Sequence, residues 1–286
     1  VRGAAPFAAL EARVAEAVAP APGEVLLVAA SGGPDSMALA ALLAAAAQRG
    51  SARLVLAHVN HAVRPGAWQD EALVLAAATA LHAGVRTASL APGAAGEARL
   101  RDERYAWLAV AAREAGARRV FAAHHAGDQT ETVLLALFRG AGPEGLCGMA
   151  PIRPLGPGVD LVRPLLGVEP ELLRSYCAAK HLPFALDPSN ADRRYRRNAV
   201  RAALAELRPD FPRLDAAVAR CAAILREERA EVPRARLRAR LRAELLRTEG
   251  DVRDVTFERL EAAARALERG SHGRHFLRRG VELVLE

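Results

Sequence analysis

Apolar residues come in short unbroken blocks, separated by longer segments in which small and apolar residues recur at helical spacing. The blocks at 25–30, 54–59, 85–90 and 119–123 predict strands, and the segments at 36–48, 69–83, 97–115 and 127–139 predict helices. Strand and helix in alternation predict right-handed βαβ crossovers and a parallel sheet covered on both faces, an α/β fold of Rossmann-like type. From 140 to 167 the chain is rich in Gly and Pro and reads as irregular crossing loops, with a helix following at 169–181. Pro209 and Pro212 bracket the start of a long helical, arginine-rich stretch, and 272–286 reads as a short hairpin. The expected organisation is an α/β domain over 1–209 and a smaller, mainly helical, basic domain over 210–286.

In a parallel sheet of this kind, ligands collect at the carboxyl ends of the strands. Three of the predicted strands run into polar sequences there: SGGPDS at 31–36, NHAVR at 60–64 and HHAGDQTET at 124–132. In the first, Gly32 and Gly33 allow a tight turn that brings amide groups against an anion, and Ser31 and Ser36 add hydroxyls at a helix N-terminus. A Walker loop needs a lysine that is absent here, and the G-x-G-x-x-G dinucleotide pattern is also missing. Asp35 would repel a nucleotide phosphate unless Mg²⁺ lay between them. In the third sequence Asp128, Glu131 and Thr132 share one face of the helix that opens there, which sets a second carboxylate across from Asp35. A plain capping cluster, and buried polar roles for His124 and His125, are the simpler readings of the same residues.

Charge is divided unevenly. Residues 1–150 are balanced, and the whole formal net charge of +7 lies in 151–286, which favours a polyanionic partner for that half. Arginine supplies every positive side chain except Lys180. Cys147, Cys177 and Cys221 are too widely spaced for a C-x-x-C pair or a disulfide framework and read as thiols in or near the core. The apolar runs are too short for a membrane span, and 1–20, which contains Arg2, Glu11, Arg13 and Glu16, does not read as a secretory signal, so a cytoplasmic location is expected.

The hexapeptide SGGPDS resembles the signature of the PP-loop ATP pyrophosphatases. Joined with HVNHAVR (58–64), EARLRDERYAWL (97–108), AHHAGDQTETVLLALFRG (123–140), GLCGM (145–149), RPLL (163–166) and DPSNADRRYRRNAVR (187–201), it is similar in order to one family within them, the tRNA(Ile)-lysidine synthetases. One departure is Gly127, where that family often has the first of two adjacent aspartates. The resemblance implies a PP-loop ATPase domain. It also implies ATP and Mg²⁺ as cofactors, and free L-lysine and the tRNA(Ile) with a CAU anticodon as substrates. A homodimer is compatible with it.

The implied reaction has two steps: attack of the wobble cytidine carbonyl oxygen on the ATP α-phosphate, then displacement of AMP at carbon 2 by the lysine side-chain amine. The nucleotide site carried over by the resemblance is Ser31, Gly32, Gly33, Pro34, Asp35, Ser36 and His58, with the metal on Asp35 and Asp128. An ammonium of pKa about 10.4 is neutral at pH 7 in only about one molecule in a few thousand, so the second step needs a proton acceptor, for which Glu131 is the candidate beside Asp35 and Asp128. An arginine for the amino acid's carboxylate comes from among Arg99, Arg104, Arg139 and Arg163.

The tRNA is expected on His61, Arg64, Arg193, Arg194, Arg196, Arg197, Asn198 and Arg201. In a helix, Arg193, Arg197 and Arg201 form a like-charge stripe that phosphates would neutralise, and Tyr195 and Tyr105 are candidates to stack on an unpaired base. Other readings of the loop are a tRNA thiolation enzyme, which usually carries C-x-x-C pairs, and an amide synthetase for a small metabolite, which would not need the arginine run. A non-catalytic RNA-binding protein is the remaining alternative.

Overall fold

The computed structural model describes residues 4–60, 67–89, 97–185, 195–230, 241, 245, 247, 257–269, 273–278 and 281–285. Two compact units are present, one of Val1–Gly140 with Gly148–Arg220, the other of Ala141–Cys147 with Cys221–Glu286. Helix α1 (Ala4–Val18) precedes β1 (Val25–Ala29), α2 (Pro34–Gly50), β2 (Arg53–Asn60), α3 (Ala67–Ala80), β3 (Gly84–Ser89), α4 (Glu97–Ala115), β4 (Arg119–Phe121) and α5 (Ala126–Leu137). Next come α6 (Pro143–Leu146), β5 (Ile152–Gly156), β6 (Val159–Val162), α7 (Pro170–Ala179), α8 (Arg196–Leu207) and α9 (Leu214–Ala230), the last ending in the second unit. The described remainder is α10 (Phe257–Glu268) and the antiparallel hairpin of β7 (Gly273–Arg278) and β8 (Val281–Leu285), where a hairpin was expected.

The six-stranded sheet of the first unit runs β3-β2-β1-β4-β6-β5, with every pair parallel except β5 and β6. Both faces of β1 are apolar because both are covered. Leu26 and Val28 join α1, α2, α3 and α7 on one side, while Val25 and Leu27 join Tyr105, Leu108 and Ala112 of α4 on the other. After β1 the chain builds outward through β2 and β3, then returns to lay β4 on the opposite side of β1. This reversal opens a crevice at the carboxyl ends of β1 and β4.

One expectation needs correction. The Gly/Pro-rich stretch read as irregular loops contains the β5–β6 hairpin, which widens the sheet by two strands. Pro154 is tolerated because β5 is an edge strand, and Gly158 turns the chain at φ +70°. Leu161 is fully buried against α4. The cysteines also differ in part from expectation: Cys147 and Cys177 are buried, but Cys221 is exposed. Truncating Leu161→Ala should lower stability in denaturant titrations by about 2–5 kcal/mol, the cost of a core cavity; a surface loop would lose almost nothing.

Candidate active site

The SGGPDS loop closes through its own hydroxyls. Ser36 donates to the Gly33 carbonyl at 2.9 Å and accepts from the Ser31 amide at 3.2 Å and the Ser31 hydroxyl at 3.1 Å. Gly32 sits at φ +83°, and a Cβ there would come within 3.3 Å of Asp70 Cβ, so backbone conformation and space both call for glycine. Gly33 is the N-cap of α2 with no side-chain cap, and Pro34 opens the helix, so the helix N-terminus faces the crevice without a protein oxygen from its cap. Beneath the loop, the Cys177 thiol donates to the Pro34 carbonyl at 3.2 Å. Burial, reinforced by the charge of Asp35, pushes that thiol up to about 11. The Ala185 amide donates to Gly32 O at 2.9 Å, so the chain leaving α7 passes back over the loop.

On the other side of the crevice, His125 is the N-cap of α5. Its amide donates to Asp128 Oδ2 at 3.1 Å, and the Asp128 amide approaches His125 Nδ1 at 3.4 Å. The imidazole then reaches across: Asp35 Oδ2 and Asp128 Oδ2 each lie 3.6 Å from His125 Nε2. The two carboxylates named from the sequence therefore flank one ring nitrogen, and the loop after β1 and the helix after β4 form one site. Asp35 Oδ1 is buried with no hydrogen-bond partner, an unused acceptor in the crevice. Burial works against a proton on His125, but Asp35, Asp128 and Glu131 outweigh it and raise its pKa. Burial likewise opposes the charge on Asp128, while His125, Arg197 and the His125 amide hold that carboxyl below its usual range. The long Asp128 amide contact needs a lone pair on Nδ1, so it belongs to the neutral ring and is released on protonation. For the neighbouring His124, burial is the main cause that holds the ring well below the usual imidazole value, and its Nδ1 has no partner.

Glu131 is 2% exposed. Arg197 Nε reaches its Oε2 at 2.6 Å and Arg201 Nε its Oε1 at 2.7 Å, while Arg197 Nη2 also holds Asp128 Oδ1 at 2.8 Å. Both Glu131 oxygens thus accept from guanidinium groups, which makes the residue a tie between α5 and α8 in this state. The same bonds turn two arginines expected on RNA inward, one helical turn apart. Arg196 is exposed and Asn198 half-buried; His61, Arg64, Arg193 and Arg194 lie outside the described residues.

His58 is buried on β2, with Nδ1 2.8 Å from the Ala30 carbonyl and Nε2 without a partner beside the start of the loop. Gln129 pins the GLCGM segment: it accepts from the Met149 amide at 2.8 Å and donates to the Met149 carbonyl at 3.1 Å. At Gly127 a Cβ would stand 3.1 Å from the His125 ring and 3.3 Å from Arg208 Nη2, and Arg208 itself is paired with Asp215 at 2.8 Å.

Farther along the sheet, the guanidinium groups of Arg101, Arg104 and Arg153 lie 5.2, 5.6 and 5.0 Å from the centre of the Tyr105 ring. Arg163 is buried beside them with its Nε unpartnered. Burial, with Arg153 and Arg101 adding to it and Tyr105 opposing, lowers the pKa of Arg163. Of the other arginines proposed for a carboxylate, Arg99 pairs with Glu103 at 2.7 Å and Arg139 is exposed. The role of His125 as the bridge and the gathering of arginines on Tyr105 were not read from the sequence; the adjacent His124–His125 pair at a strand end was the available signal for the first. Among the described residues no three His, Cys, Asp or Glu side chains converge on one metal position. Magnesium held partly by phosphate oxygens needs only one or two protein carboxylates, and the unused Asp35 Oδ1 beside Asp128 fits that demand.

A P-loop-like crevice with no lysine, a carboxylate in the loop and a second carboxylate from the helix after the neighbouring strand defines a nucleotide site of the PP-loop kind. The chain belongs to the PP-loop domain family, whose model matches residues 7–208. Among curated proteins it is 41% identical over 211 residues to the tRNA(Ile)-lysidine synthase of Gloeobacter violaceus, covering 72% of this chain and 64% of that protein. It is 42% identical over 208 residues to the tRNA(Ile)-lysidine synthase of Ralstonia nicotianae, covering 70% of this chain and 44% of that one. The chain thus spans about half to two thirds of the length of these relatives. A U34-tRNA thiolase from Methanococcus maripaludis has a similar fold, with a TM-score of 0.65, 14% identity, and coverage of 78% of this chain and 79% of that one.

The raised pKa of His125 has a direct consequence. Its contribution to stability is complete below about pH 6.5, the ordinary imidazole value, and is lost as pH rises through the raised value in the fold. In metal-free protein, NMR titration should find His125 above that ordinary value, and Asp128→Asn should bring it down; an unshifted His125 in both proteins would contradict the bridge.

Proposed function

We propose that this chain catalyses the ATP-dependent ligation of L-lysine to carbon 2 of the wobble cytidine in the tRNA(Ile) with a CAU anticodon, in the cytoplasm. The products are lysidine, AMP and pyrophosphate, and the codon read changes from AUG to AUA. The observation that carries this reading is the meeting of Asp35 and Asp128 on His125 Nε2, which joins the phosphate loop to the AGDQTET helix. The similarity to the relatives adds the substrate class.

ATP would lie with its phosphates over Ser31, Gly32, Gly33 and Ser36 at the start of α2, and His58 Nε2 offers an acceptor beside that loop. Asp35 and Asp128 would hold Mg²⁺, which when bound supplies neutralising charge to the triphosphate during attack by the cytidine carbonyl oxygen. Pyrophosphate leaves in that step, and the loop amides, fixed by the two serines, stabilise charge on the phosphate oxygens without reorganising.

In the second step the lysine amine forms the bond to carbon 2, and AMP departs with the former carbonyl oxygen. The amine must first give up a proton. Glu131 was the sequence candidate, but its oxygens are taken by Arg197 and Arg201, so we assign it to positioning α8. Burial keeps His124 neutral but makes it a weak base, so the amine loses its proton through desolvation of the ammonium in the crevice. The arginines around Tyr105, with Arg163 at their inner end, offer the positive charge that the amino acid's carboxylate requires. Residues 210–286, where described, contribute α9, α10 and the β7–β8 hairpin to a helix-rich region, and we assign this basic part to tRNA contact.

The test is incorporation of labelled lysine into the CAU-anticodon tRNA, with release of pyrophosphate, by purified protein. Asp35→Ala and Asp128→Ala should each lower it by about a hundredfold or more. Pyrophosphate release that needs no RNA would move the reading to a small-metabolite synthetase, and incorporation of sulfur in place of lysine would move it to a thiolation enzyme.

A further inference from the structure

Beside the acid pair, the first unit carries an open groove that the chemistry above does not use. It lies between the C-terminal end of α5 and the N-terminal end of α8 and has a volume of about 850 Å³. Leu135 and Val200 are among the apolar residues that line it. Two aromatic rings line it and remain open to solvent, Phe138 at 70% and Tyr195 at 47% exposure. Aromatic rings left this open at the two ends of adjoining helices contribute nothing to the core, where both helices already bury Ala136, Val200 and Leu204.

The charge around these rings has one sign. Arg139 and Arg196 line the groove, both are exposed, and neither forms an ion pair with a described residue. Tyr195 caps α8 without a side-chain hydrogen bond, and the first turn of that helix contains no carboxylate. Arg197 lines the groove as well, while its guanidinium group holds Asp128 and Glu131. The groove therefore opens within one arginine of Asp128, a carboxylate assigned to the reaction. Flat apolar faces bordered by unpaired guanidinium groups match a ligand that is flat and apolar in one part and anionic in the next. A nucleotide with an unpaired base has that form, whereas a paired duplex conceals its base faces.

We infer that the α5–α8 groove binds unpaired nucleotides of the RNA next to the reacting base, with a base stacked on Phe138 and Tyr195 and the adjoining phosphates on Arg139 and Arg196. This rests on the RNA reading above and adds the surface that holds the loop open while one base enters the crevice. The volume suits one or two nucleotides. Because stacking accepts any base, the groove supplies affinity and placement, and selection among tRNAs falls to other contacts.

The probe is an RNA hairpin with the sequence of the CAU anticodon arm, bound to the full chain and followed by fluorescence anisotropy at several salt concentrations. Phe138→Ala and Tyr195→Ala should each weaken binding about ten- to a hundredfold with the salt slope unchanged, and Tyr195→Phe should restore it. Arg139→Ala and Arg196→Ala should each reduce the log–log salt slope by about 0.7. Thermal midpoints report that the variants are folded. Wild-type affinity in both aromatic variants overturns the inference. A shift from dimer to monomer with unchanged RNA affinity also overturns it and makes the groove a contact between copies of this chain. If the wild-type protein binds the hairpin with these dependences yet incorporates no lysine, the reaction fails and the groove stands; if it incorporates lysine and the aromatic variants bind as it does, the groove fails and the reaction stands.

Discussion

The site depends on two carboxylates being brought to a single imidazole. Asp35 belongs to the loop after β1 and Asp128 to the first turn of α5 after β4, 93 positions apart in sequence yet both 3.6 Å from His125 Nε2. Like charges this close repel, and the same two carboxylates raise the affinity of His125 for a proton, which would offset that repulsion. What brings them together is sheet order: β1 and β4 are parallel neighbours, so the segments leaving them emerge on the same edge. The glycine at φ +83° and the reciprocal His125–Asp128 cap then set the last few ångströms.

Around this centre the charges are arranged in a chain. Asp128 is shared between His125 and Arg197, and Arg197 is shared between Asp128 and Glu131, which Arg201 holds from its other side. A cation placed between Asp35 and Asp128 competes with both the imidazole proton and the Arg197 guanidinium. Filling the crevice thus bears on α8, the helix whose first turn borders the groove. The phosphate loop, the acid pair and the groove are linked by side chains in contact.

Much of this was readable from residues alone, for physical reasons. The alternation of apolar blocks and helical segments encodes burial on both sheet faces, so four strands and four helices were placed within a few residues of their ends. SGGPDS was readable because its glycines answer a backbone requirement confined to the loop. The β5–β6 hairpin was not, since Gly and Pro signal a break wherever they occur and only pairing with β4 shows that the segments around them extend the sheet. The partners of Arg197 and Arg201 were hidden for a related reason: helical spacing put them on one face but said nothing of Glu131, which stands 66 residues before Arg197 and 70 before Arg201. Tyr105 and Tyr195 looked alike in sequence, yet one ring is buried among arginines and the other is open at the rim of a groove.

In the proposed reaction one divalent cation would join both carboxylates to the nucleotide. A crystal grown with a non-hydrolysable ATP analogue and Mn²⁺ tests it directly through the anomalous signal of the metal. A peak is expected within coordination distance of Asp35, Asp128 and a phosphate oxygen, with His125 displaced from both carboxylates. A metal held by phosphates alone, with Asp35 and Asp128 still against the imidazole, would contradict it.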